Sequence, residues 1–244
     1  MVNFVLVHGA WHGAWCWSRV LPELRKAGHA AHAVTLTGVG ERAHLLSKNI
    51  TLQTHVDDVL GLIEAEELNN IVLVLHSYAG MVGTAVANQL GKDRIRHICY
   101  VDAVVPKPGE AWGSAHSQST RDQRLSAAAA TPYNAMPAPD PTVWGLAGAD
   151  ADWVRRRMTP HPAAPYADVL PFDTQRVAAI ARTYLSCTAP ASPTIDPMRK
   201  RVIDPQFWDG AWLPNSRTIE VATGHDIMVS AVAELSSILL DCAK

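Results

Sequence analysis

The sequence predicts an α/β protein: a mostly parallel six-stranded sheet flanked by helices, with a helical cap insert. Three observations lead there. Six short apolar runs rich in β-branched residues recur along the chain, helical patterns separate them, and the alternation lapses between about 106 and 180. Apolar runs too short for a helix read as strands buried on both faces. Strands alternating with helices imply right-handed β-α-β crossovers and therefore a parallel sheet.

The first strand is NFVLVH at 3–8, followed by a helical pattern at 17–26 in which Trp17, Val20, Leu21 and Leu24 share a face and Gly28 marks the stop. AHAVTL at 31–36 is the second strand, and Thr51 is placed to cap a helix running through Glu67. NIVLVLH at 70–76 and IRHICYVD at 95–102 are the third and fourth strands, separated by a helix over 79–90. RTYLSCT at 182–188 and RTIEVAT at 217–223 complete the sheet, and a helix over 231–240 closes the chain.

The stretch from 106 to 180 holds most of the prolines, the SAAAATP run and short helical patterns such as ADWVRRRMTP. A structureless loop of that length is improbable inside a compact domain. The division expected is a core of residues 1–105 and 181–244, with 106–180 as a cap or lid.

Composition narrows the function classes. The 244 residues carry a net charge of −2 and are 48% hydrophobic, which leaves no basic footprint for nucleic acid and no polybasic membrane surface. The partner expected is a small molecule. The N-terminus enters a strand without the charged and apolar regions of a signal peptide, and no apolar stretch approaches a membrane span, so a cytoplasmic location is expected. Cys16, Cys99, Cys187 and Cys242 are scattered and read as reduced thiols. Oligomeric state is open, with a homodimer allowed.

Three strand ends carry residues suited to acyl transfer, which needs a hydroxyl nucleophile, a histidine base and N–H groups aimed at the developing oxyanion. IVLVLHSYAG at 71–80 leaves Ser77 at a strand-to-helix junction. The G-x-S-x-G turn would have glycines at 75 and 79, where this chain has Leu75 and Ala79. HGAWHGAWCW at 8–17 follows the first strand, and ATGHDIM at 222–228 puts His225 after the last. His8 and His12 have the spacing of a helical metal pair, but they sit in a glycine-containing loop without a third ligand, so no metal and no cofactor are expected.

These stretches, with LTGVGERAHLL at 36–46 and YVDAVVPKPGE at 100–110, resemble the α/β-hydrolases, in the branch of plant methyl esterases, hydroxynitrile lyases and bacterial carboxylesterases similar to pyrethroid hydrolases. The resemblance spans nearly the whole chain except the cap. It implies a serine hydrolase that cleaves a carboxylic ester through an acyl-enzyme. Ser77 would be the nucleophile, His225 the general base, and the backbone N–H groups of Ala10 and Tyr78 the oxyanion hole. Trp11, Trp112, Trp144 and Trp153 are the expected pocket residues. The resembling lyases have a threonine where this chain has Gly9 and a lysine where it has Asp226, and both departures favour an esterase. A receptor that has lost turnover, or a lactone- or amide-cleaving enzyme, would use the same fold.

The triad acid is the open position. Plant-type relatives place it about three residues beyond the position of Cys187, where this chain has Pro190. Some lipases of this fold place it after the preceding strand, where Asp102 stands. Asp102 is therefore the expected acid, with Asp196 in reserve.

Overall fold

The computed structural model describes residues 1–244. Its main sheet has six parallel strands: β1 (Asn3–Val7), β2 (Ala30–Val34), β3 (Ile71–His76), β4 (Ile95–Val101), β5 (Ala181–Cys187) and β6 (Ser216–Val221). The spatial order is β6-β5-β4-β3-β1-β2. Val5 of β1 is in register with His32 on one side and Leu73 on the other. After β2 the chain thus returns across β1 to build the rest of the sheet. That switch of direction opens a crevice at the carboxyl ends of β1 and β3, where ligands bind in open α/β sheets.

Alternation along the strands divides the core between two faces. Phe4, Leu6, Val72, Val74, Cys99 and Val101 face α1 (Leu21–Lys26) and the C-terminal helix, whose Leu24, Leu235 and Leu239 join the same layer. Val5, Val7, Leu73, Leu75, Ile98 and Tyr100 face α2 (Leu52–Ala65) and α3 (Ala79–Leu90). Burying each such side chain contributes about 1.5–3 kcal/mol. A one-residue slip of a strand would exchange its faces, so the register is strongly specified.

Local signals set the helix ends. The Thr51 hydroxyl accepts from the backbone N–H of Thr54 at 3.3 Å and starts α2. The helix expected over 17–26 is shorter: Ala14–Trp17 forms a 3-10 turn and α1 begins only at Leu21. Pro22 explains this, because it lacks an N–H for an upstream carbonyl and is tolerated only in a helix's first turn.

Between β4 and β5 lie α4 (Gln118–Ala129) and α5 (Gly148–Arg155). The same stretch also carries two antiparallel ribbons of two-residue strands, pairing Glu110–Ala111 with Val169–Leu170 and Ala135–Met136 with His161–Pro162. Such short strands are too brief to leave an alternation in the sequence. Beyond β5 come α6 (Asp196–Arg201) and the C-terminal α7 (Val232–Asp241). No helix is long and apolar enough to cross a membrane.

Candidate active site

Ser77 follows β3 directly and takes a left-handed backbone, φ 54°. A non-glycine residue there is strained and must be held by its surroundings. The holding bonds are present: Ser77 N–H donates to Val101 O at 3.3 Å, while Ser77 O accepts from Gly80 N–H at 3.1 Å and Val104 N–H at 2.9 Å.

The missing turn glycines are compensated one helical turn further on. A Cβ on Gly83 of α3 would lie 2.1 Å from Leu75 Cδ2, so Leu75 occupies the volume Gly83 leaves empty. A Cβ on Gly80 would lie 1.8 Å from Val104 O, making Gly80 the point of closest helix–backbone approach. Gly9 is equally constrained, since a Cβ there would lie 2.8 Å from Ser77 Cβ.

The loop after β1 runs beside Ser77. His8 pins its start: Nδ1–H donates to Gly9 O at 2.7 Å and Nε2 accepts from Leu36 N–H at 3.1 Å. Burial lowers the His8 pKa to about 3, so the ring is neutral. Both nitrogens being used, His8 has none left for a metal, and no group of three candidate metal-ligating side chains exists in the chain. The N–H groups of Ala10 and Tyr78 donate to no protein acceptor. Tyr78 precedes α3, so its N–H also carries the partial positive charge of a helix N-terminus. Its hydroxyl donates to His55 Nδ1 at 2.9 Å while His55 Nε2–H donates to Thr37 O at 3.0 Å, which anchors the residue from its far end.

His225 follows β6, and its Nδ1–H donates to Asp102 Oδ2 at 2.7 Å. That bond orients the ring and leaves Nε2 without a protein hydrogen-bond partner. Asp102 is fully buried, with φ 43°, and its carboxylate is braced from two further directions. Cys187 N–H donates to Oδ1 at 3.1 Å, and Arg199 Nη2 reaches Oδ1 at 2.8 Å and Oδ2 at 3.1 Å. Asp196 instead pairs with Arg199 Nη1 at 2.6 Å and is half exposed. Nothing in the sequence singles out Arg199 from its neighbours in the MRKR run of α6.

A second histidine–carboxylate pair lies behind the first. His12 Nδ1–H donates to Ala10 O at 2.8 Å and Nε2–H to Asp226 Oδ2 at 3.3 Å, so the ring is an imidazolium. Burial alone would lower its pKa, but the charge and hydrogen bond of Asp226, with Ala10 O, raise it above the usual histidine value. Burial works the opposite way on Asp226, yet His12, His76 and His225 together hold it down at about 2. His76, next to Ser77 in the chain, also donates from Nε2–H to His225 O at 3.1 Å.

Ser77 and His225 meet in a cavity of about 170 Å³ lined also by Trp11, Trp112 and Trp144. No hydrogen bond joins Ser77 Oγ to His225 Nε2, a bond that commonly tightens only when substrate arrives. Trp153, expected in this pocket, is elsewhere. It stands on α5 against Trp15 at 5.1 Å, between the guanidinium groups of Arg19 and Arg157, because α5 turns Ala151 and Val154 toward the sheet face opposite α2 and α3. His116, Arg124 and the loop 192–195 line the cavity without having been foreseen.

A parallel α/β sheet with a strained serine after its third strand and a buried histidine–carboxylate pair after its last defines a hydrolase-type class of protein. The alpha/beta hydrolase family model matches residues 4–237, and the chain belongs to that family. It is 38% identical to a carbendazim hydrolyzing esterase of Nocardioides sp. (strain SG-4G), over 97% of both chains. It is 24% identical to methylesterase 7 of Arabidopsis thaliana, over 99% of this chain and 96% of the other. Among solved structures, an extracellular alpha/beta-hydrolase from a Paenibacillus species superposes with a TM-score of 0.81 at 23% identity, covering 99% of each chain, and so shares the fold.

Proposed function

We propose that the chain hydrolyses a carboxylic ester of a small, largely apolar molecule, with Ser77 as nucleophile, His225 as general base and Asp102 as the acid of the triad. It is a carboxylic ester hydrolase, an enzyme of the esterase type its relatives represent. The observation that carries the reading is the 2.7 Å bond from His225 Nδ1–H to Asp102 Oδ2, with His225 and the strained Ser77 sharing one cavity.

His225 Nε2 takes the Ser77 proton as Oγ attacks the ester carbonyl. Ala10 N–H and Tyr78 N–H receive the oxyanion, His225 protonates the departing alcohol, and water then cleaves the acyl-enzyme through the same base. These steps need neither metal nor cofactor. Residues 106–180 act as the cap, contributing Trp112, His116, Arg124, Pro139, Val143 and Trp144 to the cavity. The free, buried state of all four cysteines is compatible with the reducing conditions of the cytoplasm. A lyase with a threonine at position 9 is disfavoured, because a side chain there would press into Ser77 and His76.

The test is labelling by a serine-directed phosphonate, read by intact mass, alongside turnover of a p-nitrophenyl ester. Ser77→Ala should lose the label and several orders of magnitude of turnover, on the order of 10⁶-fold as in other triads. A labelled Ala variant would remove Ser77 from the mechanism.

A further inference from the structure

Of the side chains lining the Ser77 cavity, Arg124 of α4 is the one with a permanent charge. The cavity wall holds no carboxylate, and His116 beside it is kept neutral, its pKa lowered to about 4 by burial and then by Arg124 and Arg121. Arg124 pairs with no carboxylate; the Tyr166 hydroxyl near its guanidinium supports its charge, while Nη1 is buried without a hydrogen-bond partner. The guanidinium carbon lies 5.7 Å from the Trp11 ring centre, 5.6 Å from Trp112 and 5.6 Å from Tyr166. Cation–π contact with these rings offsets part of the cost of burial, but ring faces do not satisfy an in-plane N–H. Trp11, Arg124 and Pro139 also line a second cavity of about 340 Å³. The guanidinium therefore stands between the reaction chamber and a second space next to it.

We propose that Arg124 is a specificity-determining residue that selects esters whose end remote from the scissile bond carries a carboxylate or comparably anionic acceptor. This rests on the reading of the Ser77 cavity as the active site. The substrate would be apolar along the body that lies among Trp11, Trp112 and Trp144, and anionic at one end. A carboxylate matches the guanidinium fork in shape and charge and would satisfy the orphaned Nη1. A neutral acceptor would satisfy the hydrogen bond without balancing the charge, so the two are separable by experiment.

Two ester pairs differing only in that charge cover both orientations. Monomethyl terephthalate is compared with methyl 4-carbamoylbenzoate, and 4-carboxyphenyl acetate with 4-carbamoylphenyl acetate. In the native chain at least one pair should favour the acid in kcat/KM by roughly tenfold or more, the effect of one charge-assisted hydrogen bond. Arg124→Gln should bring that ratio close to one, and Arg124→Lys should leave it between the two. Equal rates in both pairs, or a preference that survives Arg124→Gln, would overturn the proposal. Should Arg124→Gln not fold, competitive inhibition of the native chain decides: terephthalate must inhibit more strongly than terephthalamide, and equal inhibition rejects the role. Ser77→Ala distinguishes the two readings. A variant that still hydrolyses rejects the serine mechanism, while its relative affinity for terephthalate and terephthalamide judges Arg124 separately.

Discussion

Two buried histidine–carboxylate pairs meet at the adjacent residues His225 and Asp226, and they do opposite things. His225 gives one nitrogen to Asp102 and turns the other into the cavity, whereas His12 spends both, on Asp226 and on Ala10 O. Asp102 is braced by Arg199 and the Cys187 N–H, while Asp226 leaves Oδ1 without a partner, 3.8 Å from His76 Nε2. The first arrangement suits a base that must accept and release a proton. The second is an ion pair that ties the loop bearing Ala10 to the loop bearing His225. Whether a buried histidine can act as a base or serves as a strut is decided by what its second nitrogen faces.

Replacing the two carboxylates separates the roles, and Asp102→Asn should have the largest effect. The amide would hold His225 in the wrong tautomer, so kcat should fall roughly 10⁴-fold with little change in KM. Steady-state kinetics on a p-nitrophenyl ester measures it, and a decline under tenfold would make Asp102 a structural residue. Asp226→Asn should act on stability instead. Removing one partner of a fully buried pair costs about 3–5 kcal/mol, to be read from urea unfolding at pH 6. If kcat collapsed as in Asp102→Asn while the unfolding midpoint stayed put, the strut would in fact be part of the base.

A pH series sharpens the contrast at smaller amplitude. Asp226 sits at about 2 in the folded chain against an ordinary 3.8, so its contribution is complete above the ordinary value and is lost as pH falls toward 2. His12 is raised above its ordinary 6.5, so its contribution is complete below 6.5 and is lost as pH rises through the folded value. The pair should therefore stabilise fully between about pH 4 and 6.5 and weaken above. Unfolding midpoints at pH 5.5 and 9 should differ more in the native chain than in Asp226→Asn; equal differences would mean that His12 is not charged. The smallest effect belongs to Asp196→Asn, since that carboxylate is half exposed and reaches only Arg199. Activity should stay within about twofold, as for an ordinary surface substitution, and a loss like that expected of Asp102→Asn would transfer the acid role to it.

The sequence alone determined the six strands, the helices between them, and the placing of Ser77 and His225 in the turns that follow strands. Those features are local: short apolar runs rich in β-branched residues, apolar positions at helical spacing, a capping threonine, and the position of a residue relative to its own strand. It also put Asp102 ahead of Asp196 as the carboxylate beside His225, but only through resemblance to related folds and not through any contact the sequence displays. That contact is tertiary, because the donors that meet Asp102 come from 85, 97 and 123 residues away along the chain. Leu75 at a turn that favours glycine is a conflict in the sequence and none in the fold, where Gly83 vacates the space. Trp153 shows the converse, a tryptophan assigned to the pocket by its place in the insert and carried to the other side of the sheet by the face of α5. The partner of Asp226, the bracing by Arg199 and the unsatisfied Nη1 of Arg124 belong to the same category. Hydrophobic periodicity reports how each segment meets a core, but the partner of a buried charge depends on which segments the assembled sheet brings together.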